Sequence, residues 1–255
     1  MNVTKINFPA ELISKIVRCV EDATGDDIRV DIQKNDLQTR NSVPARVWDL
    51  LNTKLINELD IDECTIAKTK RGPWEMLVIF EKTTQCIFTF MREKRFEELK
   101  KQQYKRRNMH YVDMLSKQFN SDLLAEGNQL SWFEEKSFSD EDRLCELVQN
   151  LLSELKGDAD IVKNHVLVLF DTVGYQLTHI RAVMVTPSLD IAKDCDENWS
   201  QYISGNESAV VEKIETPASP SNQPTRGLSL KPKALKRQKG NSKIKEADKE
   251  NTKNA

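Results

Sequence analysis

Apolar positions along the first sixty residues follow a helical rhythm. Leu12, Ile13, Ile16, Val17 and Val20 recur one turn apart behind Pro9 and stop at Gly25, which predicts an amphipathic helix. A second stripe, Val47, Leu50, Leu51, Leu55 and Leu59 with Trp48 beside it, follows Ser42 as a candidate N-cap and Pro44 in the first turn. The rhythm then shortens. Segments 62–70, 74–81 and 84–91, separated by Arg71-Gly72-Pro73 and Lys82-Thr83, predict three strands of an antiparallel meander. In the middle strand Trp74, Met76, Val78 and Phe80 share one face and Glu75, Leu77, Ile79 and Glu81 the other, so one side is core and the other mixed.

A basic segment, 93–107, continues as a helix with Phe96, Leu99 and Gln103 on its docking side. Signals over 108–137 conflict and predict irregular structure or short helices around Phe119, Trp132 and Phe133. Ser139 then caps a helix striped by Leu144, Leu147, Val148, Leu151, Leu152 and Leu155 and closed by Gly157. A second hairpin spans 165–170 and 176–185 around Gly174; its first strand, HVLVLF, reads as a central strand covered on both faces. A short helix is expected at 196–203. Five strands and at least four helices make an α+β domain over residues 1–206: two N-terminal helices, a three-stranded antiparallel meander, helices and a second β-hairpin.

From about residue 207 aromatic residues vanish and Pro, Ser, Asn and Lys take over. Such a segment buries too little apolar surface to offset backbone ordering, so residues 207–255 are expected to be a disordered tail. The formal net charge of −2 conceals a division, because 213–255 carries eleven Lys or Arg against four acids and 1–212 carries 27 against 36. A flexible basic tail attracts polyanions without sequence preference, and the acidic body competes for it. No apolar run reaches the roughly 18–20 residues of a membrane span and no signal-peptide core opens the chain, which predicts a cytoplasmic protein with no membrane partner. Cys19, Cys64, Cys86, Cys145 and Cys195 form no C-x-x-C pair and read as reduced structural thiols.

Most enzyme chemistry lacks its signature. The glycines at 25, 72, 127, 157, 174, 205, 227 and 240 are never close enough to build a phosphate-binding loop. Neither the cysteines nor His110, His165 and His179 supply the tight ligand pair of a zinc site, so no metal or cofactor is expected. His165 and His179 fall in the two strands of one hairpin and could be cross-strand neighbours, a structural arrangement more often than a catalytic one. No G-x-S-x-G is present, and no catalytic residue can be named. One alternative is specific: helix, three-strand meander, helix and further strands is also the order of the restriction-endonuclease-like core, where carboxylates hold a divalent metal against a phosphate. Asp62, Glu75, Glu81 and Asp171 are its candidates. Against it, the third strand has no acid, and Glu75 and Glu81 lie about 20 Å apart at roughly 3.3 Å per strand residue.

Binding chemistry has more support. On a helical wheel Lys100, Lys101, Lys105, Arg106 and Arg107 scatter around the circumference, while i,i+4 pairs and the helix dipole account for most of these charges. Two other clusters, Lys68-Thr69-Lys70-Arg71-Gly72-Pro73-Trp74 and Arg92, Lys94 and Arg95, fall at the same end of the middle strand if the meander is antiparallel. Six cations and Trp74 then form a candidate anion- or nucleic-acid-binding patch.

The segments KTKRGPWEMLVIFEKTTQCIFTFMREKRFEEL, HVLVLFDTVGYQLTHIRAVMV and ENWSQYI together resemble an uncharacterised family, a domain of unknown function of Gram-positive bacterial and prophage proteins, over about residues 5–210. The resemblance implies a bacterial cytoplasm and a mobile-element setting, and no activity. The sequence therefore leads to a non-enzymatic interaction or regulatory protein whose partner is a protein or a nucleic acid, with the metal-dependent nuclease as the alternative.

Overall fold

The computed structural model describes residues 5–59, 62–71, 74–123 and 141–204, and the expectations for Trp132, Phe133, the Ser139 cap, Gly72-Pro73 and the tail lie outside them. Three helices come first: α1 (Ala10–Thr24), α2 (Asp26–Lys34) and α3 (Val43–Glu58). β1 (Cys64–Arg71), β2 (Trp74–Glu81) and β3 (Cys86–Arg92) form the meander. α4 (Glu93–Lys101), α5 (Tyr111–Phe119) and α6 (Glu141–Glu154) then cross to β4 (Asn164–Val173), β5 (Gln176–Val185) and β6 (Ile191–Asn198). All six strands join one sheet in sequential order, antiparallel except for the β3–β4 pair, which lies parallel. A parallel neighbour requires a long crossover, and α4 to α6 supply it.

The period-2 alternation of the central strands feeds two cores, one on each face. Leu77, Ile79, Phe88, Phe90, Val168 and Phe170 pack with α1 and α3, while Val78, Phe80, Ile87, Met91, Leu167 and Leu169 pack with α4, α5 and α6. The middle strand of the meander is thus apolar on both sides from Met76 to Phe80, with acids at its two ends, the exposed Glu75 and the buried Glu81. Gly25 lets α2 follow α1 directly, because a Cβ there would meet the Glu21 carbonyl oxygen at 2.8 Å and that of Tyr175 at 3.3 Å.

Several expectations are corrected. The sequence pattern omits α2, since only Ile28 of that helix is buried and no stripe announces it. The basic helix ends at Lys101 rather than 107, and Arg106 instead clamps the first turn of α5, its two guanidinium nitrogens donating to the Asp113 carboxylate at 2.7 and 2.8 Å. The segment expected as a helix at 196–203 is the end of β6 followed by one 3-10 turn, Ser200–Tyr202. Only Ala192 and Cys195 of that strand are buried, so pairing with β5 rather than any apolar rhythm makes it a strand.

His165 and His179 are not neighbours. His179 stands opposite Asp171, whereas His165 lies near the start of β4, fully buried, with Nε2 2.9 Å from the Thr89 hydroxyl. Its surroundings are held by Asn120, whose amide donates to the carbonyls of His165 and Val185 at 2.8 and 2.9 Å and whose oxygen accepts from the His165 N–H at 2.9 Å. Four of the five cysteines are buried and all are free thiols; Cys145 is exposed.

Candidate functional site

β1 and β2 pair along their full length, eight residue pairs from Cys64 opposite Glu81 to Arg71 opposite Trp74. β2 and β3 pair at only three, Ile79 with Phe88, Phe80 with Ile87 and Glu81 with Cys86. Beyond Ile79 the two strands part, and the gap widens into a cleft of about 660 Å³. Trp74, Glu75, Met76 and Leu77 form one wall and Phe90, Met91 and Arg92 the other. α3 contributes Ala45, Trp48, Asp49 and Asn52 from one face of the sheet, while His110 and Tyr111 at the start of α5 and Arg95 of α4 complete the lining. At its apex the cleft is closed by strand pairing.

Trp48, Phe170 and Arg92 form a layered wall. Trp48 meets Phe170 edge-on with centroids 5.6 Å apart, and the Arg92 guanidinium lies 5.1 Å from the centroid of the same ring. Arg92 also donates to the Thr172 hydroxyl at 2.7 Å. Burial pulls its pKa below the ordinary guanidinium value, and the Coulombic effect of Asp171 partly offsets this. Nearer the mouth, Lys68 donates to Glu75 at 2.8 Å and Lys70 stands 3.8 Å from it. The Lys68 hydrogen bond holds Glu75 below the usual carboxylate range, and the same bond raises Lys68. At the inner edge, the Val112 N–H donates to His110 Nδ1 at 3.3 Å and the His110 N–H donates to Asp113 at 2.6 Å, a reciprocal cap that fixes the ring.

Of the residues proposed from sequence, the structure brings Lys70, Trp74, Arg92 and Arg95 to this one cleft. Lys68 reaches it through Glu75. Lys94 is exposed in the first turn of α4 and is not among the lining residues, and the side chain of Arg71 lies outside those described, although its backbone sits opposite Trp74. Arg95 pairs with Glu98 at 3.3 Å at the surface. The scattered cations of α4 are used locally: Lys101 pairs with Glu97 at 3.4 Å, and Lys100 reaches Asp190 at 2.8 Å.

The acids proposed for metal binding do not converge. Glu75 lines the cleft, but Glu81 is buried at the other end of β2, where it accepts from the N–H groups of Thr83 and Thr84 at 2.8 and 2.6 Å. Asp62 and Asp171 are not among the lining residues. A Ser200 hydroxyl 3.1 Å from His179 Nδ1 suggests a nucleophile, yet that hydroxyl also accepts from the Ile180 N–H at 3.1 Å and donates to the Ile180 carbonyl at 3.2 Å, so it splices the turn after β6 onto β5. Sequence reasoning missed Asp49, Asn52, His110 and Tyr111. Asp49 and Asn52 follow the first turn of α3 on its polar side, and only the splaying of β2 from β3 gives that side a partner.

The chain belongs to a family of unknown function (DUF5986), whose match covers residues 5–246. No curated protein and no solved structure matches it. Among the described residues, no helix is long and apolar enough to cross a membrane.

Proposed function

We propose that the chain is a non-catalytic nucleic-acid-binding protein, in keeping with the bacterial or mobile-element setting its sequence suggests, and that the β2–β3 cleft receives the ligand. One observation carries this reading: Lys70, Arg92 and Arg95 line the same cleft as the exposed Trp74. Cations beside an aromatic platform fit a phosphate and the base next to it, since bases stack on indoles with little sequence preference while phosphates pair with Arg and Lys. Tyr111 and Trp48 extend the aromatic lining. Glu75 pairs with Lys68 and Lys70 at the surface, a contact of little intrinsic worth that a phosphate entering there would replace.

The nuclease reading retains two carboxylates, Asp49 and Glu75, in the cleft. Fluorescence anisotropy of labelled single- and double-stranded oligonucleotides, repeated with Mg²⁺, Mn²⁺ and EDTA, separates the two. Binding that weakens with salt and leaves the oligonucleotide intact supports the binding reading. Metal-dependent cleavage lost in Glu75→Ala would replace it, and absence of binding to any nucleic acid at low salt would remove both.

A further inference from the structure

Among the described residues, Arg92, Arg106 and Arg181 sit partly inside the protein, and the last two have carboxylates of their own. Arg106, with a side chain 11% exposed, is bidentate to Asp113. Arg181, 19% exposed, donates to Glu93 through two nitrogens at 3.1 and 2.5 Å and also reaches Asp196. The half-buried Arg92 has the Phe170 ring, one threonine hydroxyl and the through-space charge of Asp171; among the described residues no carboxylate lies within ion-pair distance of it. Removing a guanidinium from water without a directly paired carboxylate is costly, and Arg92, unlike Arg106 and Arg181, lacks such a pair and lines a cleft.

Resting on the nucleic-acid reading above, we propose that Arg92 receives a terminal phosphate monoester, that of a nucleoside monophosphate or of a strand's 5′ end, with the adjoining base stacked in the aromatic part of the cleft. Three features select a terminal group. The apex is closed where Ile79 pairs with Phe88, α3 lines one face, and His110 and Tyr111 stand at the other, a shape that suits a strand's end better than its middle. The guanidinium is held in place by the ring and by Thr172, which presets its fork for a bidentate anion. A volume of about 660 Å³ falls within the range of pockets that enclose a small organic ligand rather than a duplex. Asp49 and Asn52 lie on the α3 wall, where hydroxyl groups of a sugar would find an acceptor and an amide.

The experiment uses the full chain and single-stranded eight-residue oligonucleotides carrying either a 5′-phosphate or a 5′-hydroxyl, with adenosine monophosphate, inorganic phosphate and a short peptide bearing a free C-terminal carboxylate as competitors. The native chain prefers the 5′-phosphate by about tenfold, the scale of one charge-assisted contact. Arg92→Gln binds both oligonucleotides at the level of the 5′-hydroxyl form, and Arg92→Lys, which keeps the charge without the fork, falls between. Thr172→Val, which frees the guanidinium without removing it, lowers the preference and serves if Arg92→Gln fails to fold. Competition by the monophosphate at parity assigns a free nucleotide, and competition by the oligonucleotide alone assigns a strand end; either supports the site. Equal binding of the two oligonucleotides by the native chain, a preference that survives Arg92→Gln, or displacement only by inorganic phosphate or the peptide overturns the inference. Binding without 5′ discrimination sinks this inference alone, whereas no binding at all sinks the proposed function with it.

Discussion

The two ends of the β2–β3 seam are built on opposite principles. At the paired end, Glu81 is 1% exposed and accepts the amides of its own turn, Asn120 splices β4 to β5 through three hydrogen bonds, and Thr89 partners His165. Polar groups there are enclosed, and most are bonded within the protein, with the buried His165 Nδ1 an exception. At the open end the strands separate after three pairs, Trp74 is 55% exposed, and a desolvated guanidinium rests on a ring and a hydroxyl. The first end shows what this fold does with buried polarity when stability is the only demand. The second departs from that pattern, and such departures concentrate where a protein meets a ligand.

The comparison breaks first at its closed end. Asn120→Ala leaves two carbonyls and an amide buried without partners, and is expected to cost about 3–5 kcal/mol in denaturant unfolding. A loss under about 1 kcal/mol would show that the splice is incidental. Asp113→Asn strips the charge facing Arg106, whose side chain is 11% exposed, and weakens the cap of α5; removing one partner of such a pair is expected to cost about 3 kcal/mol.

A pH titration distinguishes the ends in another way. Burial lowers the His165 pKa to about 3, below the ordinary imidazole value of 6.5. The unfolded chain therefore takes up a proton that the folded one refuses, and stability falls as pH drops from 6.5 toward 3, by about 1.4 kcal/mol per pH unit for one proton. Unfolding followed between pH 6.5 and 4.5, above most carboxylate titrations, should show that slope in the native chain and lose it in His165→Gln. A slope unchanged by the substitution would place the proton uptake elsewhere. At the open end the smallest effects are expected. Charge reversal at Arg71 and Arg95 should weaken oligonucleotide binding severalfold more than reversal at Lys101 and Lys105, and equal effects would mean that diffuse attraction, not the cleft, binds the ligand.

Much of this division was legible in the sequence. Alternation identifies both hairpins, and an antiparallel meander puts Lys68, Lys70, Arg71 and Trp74 beside Arg92, Lys94 and Arg95. Four of those seven residues line the cleft. What stayed hidden depended on contacts distant along the chain. β6 carries only two buried residues, so no pattern marks it, and α2 buries one. Arg106 looked like part of a basic helix because nothing local says that a carboxylate seven residues later will claim it. Likewise, hydrophobic rhythm predicts that strands exist but not how far they pair, and the cleft opens where the three-pair register of β2 and β3 ends. Asp49, Asn52 and Tyr111 join the site only through that separation.

The central claim is that nucleic acid enters at the split, not at the basic segment 213–255. Photo-crosslinking a single-stranded oligonucleotide that carries 5-iodouracil beside its 5′-phosphate, followed by mass spectrometry of the peptides, addresses it directly. The account predicts adducts on the peptides containing Trp74 or Tyr111, diminished in Arg92→Gln. Adducts confined to residues 213–255, with none around the cleft, would contradict it.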